Sequence, residues 1–236
     1  MVRFSLWCIL AATCTAATST PPLPQTIGIL ALPKFVGLDA YGPIELLNLA
    51  AFSSNLSLSI IGQTLDLVSS SVGNTSGLIP SYTFDQDPKI DVLIIPGGPA
   101  SRLAINNPEV IAYVKRTYPK LQYIMSICTG AQVLARAGVL DGKRATTNKF
   151  SWKEMVASGP TVNWVAHARW VIDNNIWTSS GVTAGMDMIH HFITTALRNG
   201  TLADRAANIL EYEVHRDPSF DPFADIWGAT DAPAVM

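Results

Sequence analysis

The residue with the clearest chemical potential is Cys128, which stands where a predicted buried strand, residues 121–127, gives way to a predicted helix, residues 130–137. At such a turn the first N–H groups of the helix are free, and the positive end of the helix dipole lowers the pKa of a thiol. The pattern therefore predicts a thiolate nucleophile. The alternative is a buried cysteine that packs as a small hydrophobic side chain.

Two further groups follow predicted strands and could serve such a nucleophile. Gly97 and Gly98 come after the strand 91–95, and their backbone N–H groups could bind a developing negative charge. Asp39 follows the first strand, 26–32, and could carry a proton to or from the thiol. Ligands of open α/β sheets bind at the carboxyl ends of strands, so we expect these groups to face one crevice. The plain alternatives are a tight turn for the two glycines and a loop or helix-cap role for the aspartate.

Metal and cofactor chemistry has no comparable signal. The four histidines lack metal-like spacing to carboxylates or cysteines, and the chain has neither a phosphate loop nor a dinucleotide fingerprint. The sequence predicts no metal and no cofactor. The histidines are His167, His190, His191 and His215.

The elements that must position these residues follow an α/β pattern, because apolar runs bounded by turn residues alternate with longer amphipathic stretches. The run 91–95 has no polar alternation, which is typical of a central parallel strand. A doubly covered parallel sheet is the predicted architecture. The predicted strands are 26–32, 56–61, 91–95, 121–127, 162–165, 169–173 and 176–179, with short strands and loops in 62–89 and a hairpin turn at 174–175. The predicted helices start at Pro43 and cover 108–117, 130–137, 150–158, a stretch from the cap Thr183 to Leu197 ended by Gly200, and 202–213.

Length and charge narrow the class of protein. The 236 residues fit one domain, predicted at 26–216, with a C-terminal extension, 217–236, packed on its surface. Sixteen Lys and Arg against eighteen Asp and Glu give a net charge of −2, which provides no basic field for a phosphate backbone. We therefore expect a small-molecule substrate and no nucleic-acid partner.

The N-terminus has the features of a secretory signal peptide, predicted at residues 1–17. Arg3 precedes an apolar run, residues 4–14, and small residues follow it as a cleavage site. The run is shorter than the about 20 residues that span a bilayer, so no membrane anchor is expected in the mature chain. Residues 18–25 are a Pro-rich spacer. The alternative is an N-terminal helix packed on the domain.

Secretion agrees with two other features of the chain. Asn-x-Ser/Thr sequons at Asn55, Asn74 and Asn199 predict N-glycans on a secreted protein. Removal of the signal peptide deletes two of the three cysteines and leaves Cys128 alone. The mature chain then has no internal disulfide.

Five motifs together resemble the ThiJ/PfpI superfamily. They are Ile-Pro-Gly-Gly at 95–98, Ser-Ile-Cys-Thr-Gly at 126–130, Arg-Ala-Thr-Thr at 144–147, Gly-Val-Thr-Ala-Gly-Met-Asp at 181–187 and Leu-Asp-Ala-Tyr-Gly-Pro at 38–43. The Cys-Thr elbow, the Leu-Asp-x-x-Gly-Pro loop and the Gly-Val-Thr-Ala-Gly turn are most similar to the isonitrile hydratase branch. The resemblance covers about residues 27–197 and rests on the combination, since each motif alone is weak.

This resemblance implies a flavodoxin-like sandwich that forms a homodimer and acts on a small molecule without a cofactor. It assigns Cys128 as the nucleophile and Asp39 as its acidic partner. It implies that Thr129 is a hydrogen-bonding neighbour and that Gly97 or Gly98 donates backbone N–H groups.

The predicted function is the hydration of an isonitrile to an N-substituted formamide by a secreted enzyme. One departure affects the substrate assignment, because Asn148 stands where the hydratase pattern has His. Two alternatives stay open: a glyoxalase-type or other hydrolase acting on small carbonyl compounds, and a non-catalytic redox or binding protein of the same fold.

Overall fold

The computed structural model describes residues 22–70 and 75–235. The strands are β1 (Thr26–Leu30), β2 (Ser57–Gly62), β3 (Val68–Ser69), β4 (Gly77–Leu78), β5 (Tyr82–Thr83), β6 (Val92–Ile95), β7 (Tyr123–Ser126), β8 (Arg144–Ala145), β9 (Asn163–Trp164), β10 (Trp170–Asp173) and β11 (Ile176–Ser179). The helices are α1 (Gly37–Ala51), α2 (Pro99–Ala104), α3 (Pro108–Thr117), α4 (Ala131–Arg136), α5 (Trp152–Ser158), α6 (Val182–Thr195), α7 (Gly200–Ile209) and α8 (Phe223–Trp227). Short 3-10 turns cover Tyr118–Lys120 and Cys128–Gly130.

Seven strands form one sheet in the order β10-β11-β7-β6-β1-β2-β5. Every neighbouring pair is parallel except β10 and β11, which are joined at residues 174–175 as an antiparallel hairpin. Helices α1, α6 and α7 pack against one another, as do α2, α3, α4 and α5, and the two groups flank the sheet. The predicted α/β fold is confirmed.

The centre of the sheet carries the candidate residues because three adjacent strands end there. In register, Ile94 of β6 lies between Ile29 of β1 and Met125 of β7, and all three side chains are buried. Strands buried on both faces need apolar residues at every position, and this explains the unbroken apolar run in β6. The segments that follow these three strands therefore meet at one edge.

Helix α1 begins earlier than the sequence indicated. It starts at Gly37 rather than at Pro43, so Asp39 lies in the first helical turn and not in a loop. Ala40 and Leu47 are buried on the same side as Pro43, and this shared face extends the helical periodicity upstream of the proline. Proline is common at the first helical position, which is why the sequence favours Pro43 as a helix start.

Other boundaries also differ from the predictions. Gly200 begins α7 instead of ending α6, and α7 ends at Ile209. The residue preceding α6 is Gly181, and the Thr183 hydroxyl accepts a hydrogen bond from Arg169 rather than capping the helix. Helices α2 and α8, of six and five residues, were not predicted from the sequence. Helices this short carry too little periodicity to be recognised.

The C-terminal segment, residues 217–235, is held by interior contacts as well as by surface packing. The carboxylate of Asp221 pairs with Lys149 at 2.9 Å, and both side chains are almost completely buried. Trp152 donates its indole N–H to the carbonyl of Thr230 at 3.0 Å. These contacts place the segment beside residues 146–152, next to the site described below.

Residues 1–21 and Asn74 lie outside the described residues, so the predicted signal peptide, the first half of the predicted spacer and one sequon are not part of this structure. Asn55 and Asn199 are exposed, and the side-chain oxygen of Asn199 accepts a hydrogen bond from the N–H of Leu202. Within the described ranges, no helix is long and apolar enough to cross a membrane.

Candidate active site

Cys128 sits on a sharp turn between β7 and α4. Its backbone φ is +57°, a conformation that non-glycine residues seldom adopt and that often marks a functional site. The turn lies tightly against the end of β6, since a side-chain carbon at Gly130 would lie 2.3 Å from the carbonyl oxygen of Ile95. The Thr147 hydroxyl donates to the carbonyl of Cys128 at 2.9 Å and holds the turn from the other side.

Cys128 is 5% exposed, and its thiol has polar neighbours. The backbone N–H of Thr129 and the side-chain amide of Asn148 form hydrogen bonds that favour the thiolate. The Thr129 hydroxyl also lies beside the sulfur, and it donates to the carbonyl of Gly98 at 3.2 Å. The amide oxygen of Asn148 accepts from the N–H of Ser151 at 3.2 Å, so its NH₂ group is the part free to donate to sulfur. Asn148, which the sequence marked only as a departure from a motif, therefore contacts the candidate nucleophile.

Asp39 reaches the same thiol from the first turn of α1. Its carboxyl is completely buried, and one oxygen accepts from the N–H of Gly97 at 2.9 Å. The other oxygen, Oδ1, has no well-aligned hydrogen-bond partner within the described part of the chain. Burial raises the pKa of Asp39 to about 7, while hydrogen bonds from Gly97 and the Cys128 thiol act in the opposite direction.

The pKa of the thiol also rises, contrary to the sequence-based expectation. Burial is the largest cause, and the negative charge of Asp39 adds to it. The hydrogen bonds from Thr129 and Asn148 lower the pKa by less. The prediction of a lowered thiol pKa is wrong because it counted the helix end and not the loss of water around the sulfur.

Cys128 and Asp39 each influence the pKa of the other, so the two groups titrate as a pair. Two buried acidic groups in contact do not both ionise readily, because each charge raises the pKa of the other. The pair therefore keeps one proton over a wide range above neutral pH. A nucleophile and a proton are thus available at the same place.

Gly97 and Gly98 lie at this edge, but their N–H groups have partners. The N–H of Gly97 binds Asp39, and the N–H of Gly98 donates to the Thr129 hydroxyl at 2.8 Å. A side-chain carbon at Gly97 would lie 2.5 Å from the backbone nitrogen of Thr129. The two glycines bring β6 close to the turn at Cys128 and orient Asp39 and Thr129. Because both N–H groups have partners, the predicted role of the glycines as free donors to a negative charge finds no support.

Arg102 lies within electrostatic range of Cys128, although it is not among the groups that shift the pKa of the thiol. The guanidinium of Arg102 is held by two contacts to the carboxylate of Glu154, at 2.6 and 2.5 Å. The Glu154 carboxylate is the main group that raises the pKa of Arg102. A negative charge on Cys128 raises it further, by less. Arg102 belongs to α2, which the sequence did not reveal, so no signal marked it as part of the site.

A cavity of about 190 Å³ is lined by Asn148, whose amide hydrogen-bonds to the thiol, although Cys128 itself does not line it. A larger cavity, of about 430 Å³, lies near Lys34 and Gln63, and neither Cys128 nor Asp39 lines it. Adjacency to the nucleophile makes the smaller cavity the better candidate for binding. Its walls include Asn148, Phe150, Gly181, Val182, Phe223 and Trp227.

The described residues contain no group of three or more His, Cys, Asp or Glu side chains arranged to hold a metal ion. The described acidic residues of the site are Asp39 and, at its margin, Glu154, which pairs with Arg102.

Comparisons with known proteins give relatives of this chain in sequence and in fold. The profile of the DJ-1/PfpI family matches residues 25–195. The chain is 32% identical over 197 residues to an isonitrile hydratase from Pseudomonas putida, covering 83% of this chain and 81% of that one. It is 32% identical over 186 residues to the HTH-type transcriptional regulator GbdR from Pseudomonas aeruginosa, covering 76% of this chain but 49% of the regulator. A crystal structure of a ThiJ/PfpI family protein from Pseudomonas syringae superposes with a TM-score of 0.72 at 27% identity, covering 89% of this chain and 87% of that one.

Proposed function

The chain belongs to the DJ-1/PfpI family, and we propose that it is an enzyme that hydrates an isonitrile to an N-substituted formamide at Cys128. The observation that carries the proposal is the contact between the buried Asp39 carboxyl and the buried thiol. An isonitrile has one terminal carbon that must receive both a nucleophile and a proton. A thiol and a carboxyl that together keep one proton supply both.

In the first step, the Asp39 carboxylate takes the proton of the Cys128 thiol, and the pair reacts with the proton on Asp39 and the negative charge on Cys128. The sulfur lone pair forms a bond to the terminal carbon, and one pair of the N≡C bond moves to nitrogen. The carbon's own lone pair then takes the proton from Asp39. The product is a thioimidate, R–N=CH–S, attached to Cys128, and Asp39 is a carboxylate.

In the second step, water adds across the C=N bond. The water oxygen bonds to carbon, and Asp39 takes one proton from the water and passes it to nitrogen, giving R–NH–CH(OH)–S. General acid–base help of this kind is typically worth about 10²- to 10⁴-fold.

In the last step, the C–S bond breaks and its electrons return to sulfur. The proton of the hydroxyl goes to Asp39, the carbonyl forms, and R–NH–CHO leaves. Hydrogen bonds from Thr129 and Asn148 stabilise the departing thiolate. The pair again holds one proton, so the cycle adds one water and consumes nothing else.

Similarity to an isonitrile hydratase over most of both chains supports this substrate class. The difference at Asn148 is compatible with it, because the carboxamide donates to sulfur as an imidazole N–H could.

The deciding experiment incubates the protein with isonitriles and with 2-oxoaldehydes and identifies products by mass. Formamide from wild type, none from Cys128→Ala and a loss of about 10²- to 10⁴-fold in Asp39→Asn are expected. Asp66→Asn, an exposed carboxylate outside the site, is the control and should keep the wild-type rate. Hydroxy acid from 2-oxoaldehydes without any formamide would establish the carbonyl alternative, and a fully active Cys128→Ala variant would exclude Cys128 as the nucleophile.

We also propose that the protein is secreted and glycosylated. The apolar run that ends in small residues and the exposed Asn55 and Asn199 support this. Protein purified from culture medium should begin near Thr18 and lose mass on enzymatic removal of N-glycans. An intact Met1 with no glycan on any sequon would contradict it.

A homodimer is part of the same proposal, since the family resemblance implies it. Light scattering on the purified protein should give twice the mass of one mature chain. A monomer mass at micromolar concentration would contradict it.

A further inference from the structure

Lys149 is a buried cation that the proposed mechanism does not use, and hydrogen bonds through Thr147 join it to the turn at Cys128. We propose that Lys149 is a positioning residue: its ammonium group, paired with Asp221 of the C-terminal segment, holds residues 146–148 in the orientation that supports the thiol. The inference rests on the proposed function for the reaction it serves, whereas its test measures the reactivity of the thiol and needs no isonitrile.

The nitrogen of Lys149 is surrounded by five oxygen atoms, all at 2.9 to 3.1 Å. Two of them are carbonyl oxygens and one belongs to a carboxylate, and these three can only accept hydrogen bonds. Such surroundings fit an ammonium group with three protons. The five atoms are the hydroxyl oxygens of Thr146 and Ser180, the carbonyl oxygens of Thr147 and Ala168, and Oδ2 of Asp221.

Asp221 supplies the charge that stabilises this cation in the interior. Burial lowers the pKa of Lys149, and the carboxylate of Asp221 acts in the opposite direction. Oδ2 lies 2.9 Å from the nitrogen without a well-aligned hydrogen bond among the described residues, so the contact is mainly one of charge. Oδ1 accepts from the N–H of Phe223 at 3.0 Å, which fixes the carboxylate within the C-terminal segment. This segment therefore completes the surroundings of Lys149.

The path from Lys149 to the thiol runs through the peptide group that joins residues 147 and 148. The ammonium donates to the carbonyl of Thr147, which lies in the same planar unit as the backbone nitrogen of Asn148. On one side of this unit the Thr147 hydroxyl donates to the carbonyl of Cys128 at 2.9 Å. On the other side the Asn148 amide donates to the sulfur. One ammonium thus restrains both groups that act on Cys128 from this segment.

The turn at Cys128 needs this restraint because its φ of +57° is disfavoured for a residue with a side chain. Such a conformation persists only where the surrounding structure holds it. The segment also has a second anchor, since the N–H of Thr146 donates to the hydroxyl of Thr178 on β11 at 2.9 Å. Removal of the ammonium should therefore change the orientation of residues 147 and 148 without detaching the segment from the sheet.

The test replaces the ion pair by apolar side chains, because Lys149→Met/Asp221→Leu leaves no buried charge without a partner. Alkylation of Cys128 by iodoacetamide at pH 8, followed by mass, should slow by roughly 10-fold or more. Circular dichroism and urea unfolding establish that the variant is folded. A folded double variant that reacts at the wild-type rate would overturn the proposal.

Two control variants separate positioning from the loss of a charge or of stability. Lys120→Met removes an exposed cation that pairs with Asp87 and precedes β7, at the end of that strand opposite Cys128. Leu202→Ala removes a buried side chain of α7 and lowers stability by opening a cavity. Both should alkylate within about twofold of wild type. A slowing in Leu202→Ala as large as in the double variant would assign the effect to stability and overturn the proposal.

A double-mutant cycle tests whether Lys149 acts through Asn148. Asn148→Ala is introduced into wild type and into Lys149→Met/Asp221→Leu, and the four alkylation rates are compared. The substitution should slow wild type by roughly 10-fold but change the double variant by less than about threefold, because the amide there is already misplaced. Equal losses in both backgrounds would show that the ion pair does not act through the amide and would overturn the assignment.

Asp221→Asn keeps the test decisive if the double variant does not fold. It preserves the size of the side chain and the lysine but removes the charge that stabilises the ammonium. Its alkylation rate should fall below that of wild type by about threefold or more, and a folded Asp221→Asn with the wild-type rate would overturn the proposal. If these rates change as expected while wild type hydrates no isonitrile, the positioning role stands and the proposed reaction is wrong.

Discussion

The Asp39 carboxyl and the Cys128 thiol are in contact in the protein interior, with Asp39 completely buried and Cys128 5% exposed. Burial raises the pKa of both groups, and an ionised Asp39 raises the pKa of the thiol further. The pair loses its first proton near pH 7, where the carboxyl ionises, and holds the second well above neutral pH. This relationship makes the reactivity of Cys128 depend on Asp39.

The alkylation rate of Cys128 should rise with pH through about 7, because the carboxylate formed there can accept the proton of the thiol. Asp39→Asn should remove this rise and leave only the increase that accompanies ionisation of the thiol itself at higher pH. Intact-mass kinetics with iodoacetamide between pH 5 and 9 measure both profiles. Asp66→Asn serves as control, and a rise near pH 7 that persists in Asp39→Asn would show that another group controls the thiol.

The free energy of unfolding should also depend on Asp39. Its pKa is about 7 in the folded protein against an ordinary 3.8, so the folded state binds its proton more tightly than the unfolded state. The resulting stabilisation is fully present below about pH 4 and is lost as pH rises through about 7. We therefore compare the free energy of unfolding of Asp39→Asn with that of wild type at each pH. The difference should favour the variant by about 2 to 3 kcal/mol more at pH 8 than at pH 5. Urea unfolding at the two pH values checks this, and an equal difference at both would contradict it.

Asn148→Ala should slow alkylation of Cys128 at neutral pH by roughly 10-fold or more, because it removes a hydrogen bond that favours the thiolate. Asn148→His should retain most of the rate, since an imidazole N–H can also donate. Circular dichroism of both variants controls for folding. A rate in Asn148→Ala equal to that of wild type would show that the amide does not assist the thiol.

Lys149→Met should destabilise the protein by about 3 to 5 kcal/mol, because it leaves the carboxylate of Asp221 buried without its partner. The double variant Lys149→Met/Asp221→Leu should be more stable than Lys149→Met alone. Lys120→Met breaks an exposed pair with Asp87 and should cost no more than about 1 kcal/mol. Denaturant unfolding measures all three, and a double variant no more stable than the single one would contradict the account.

Gly130→Ala should lower stability by about 1 to 3 kcal/mol and reduce reactivity at Cys128, since the added carbon would lie 2.3 Å from the Ile95 carbonyl. Gly200→Ala is the matched control, because its added carbon meets only Thr194 at an ordinary 3.5 Å. That variant should stay within about 1 kcal/mol of wild type. Thermal unfolding and alkylation kinetics decide whether the elbow requires a glycine.

The sequence by itself determined the fold class and the location of Cys128, the candidate nucleophile. The buried run in β6 and the strand-to-helix turn at Cys128 are local signals, because strand burial and turn chemistry appear in neighbouring residues. The motifs likewise placed Asp39 and Gly97 at the same edge of the sheet, where the structure brings them into contact.

Only the tertiary structure decided how these groups behave. The direction of the thiol pKa depends on burial by distant segments, and the N–H groups of Gly97 and Gly98 are occupied by residues that are remote in the chain. The contacts of Asn148 with sulfur and of α8 with the cavity have no local sequence signal, because they arise where separate segments pack together. Local patterns encode which element a residue joins, whereas solvation and long-range hydrogen bonding are fixed only when all the elements are in place.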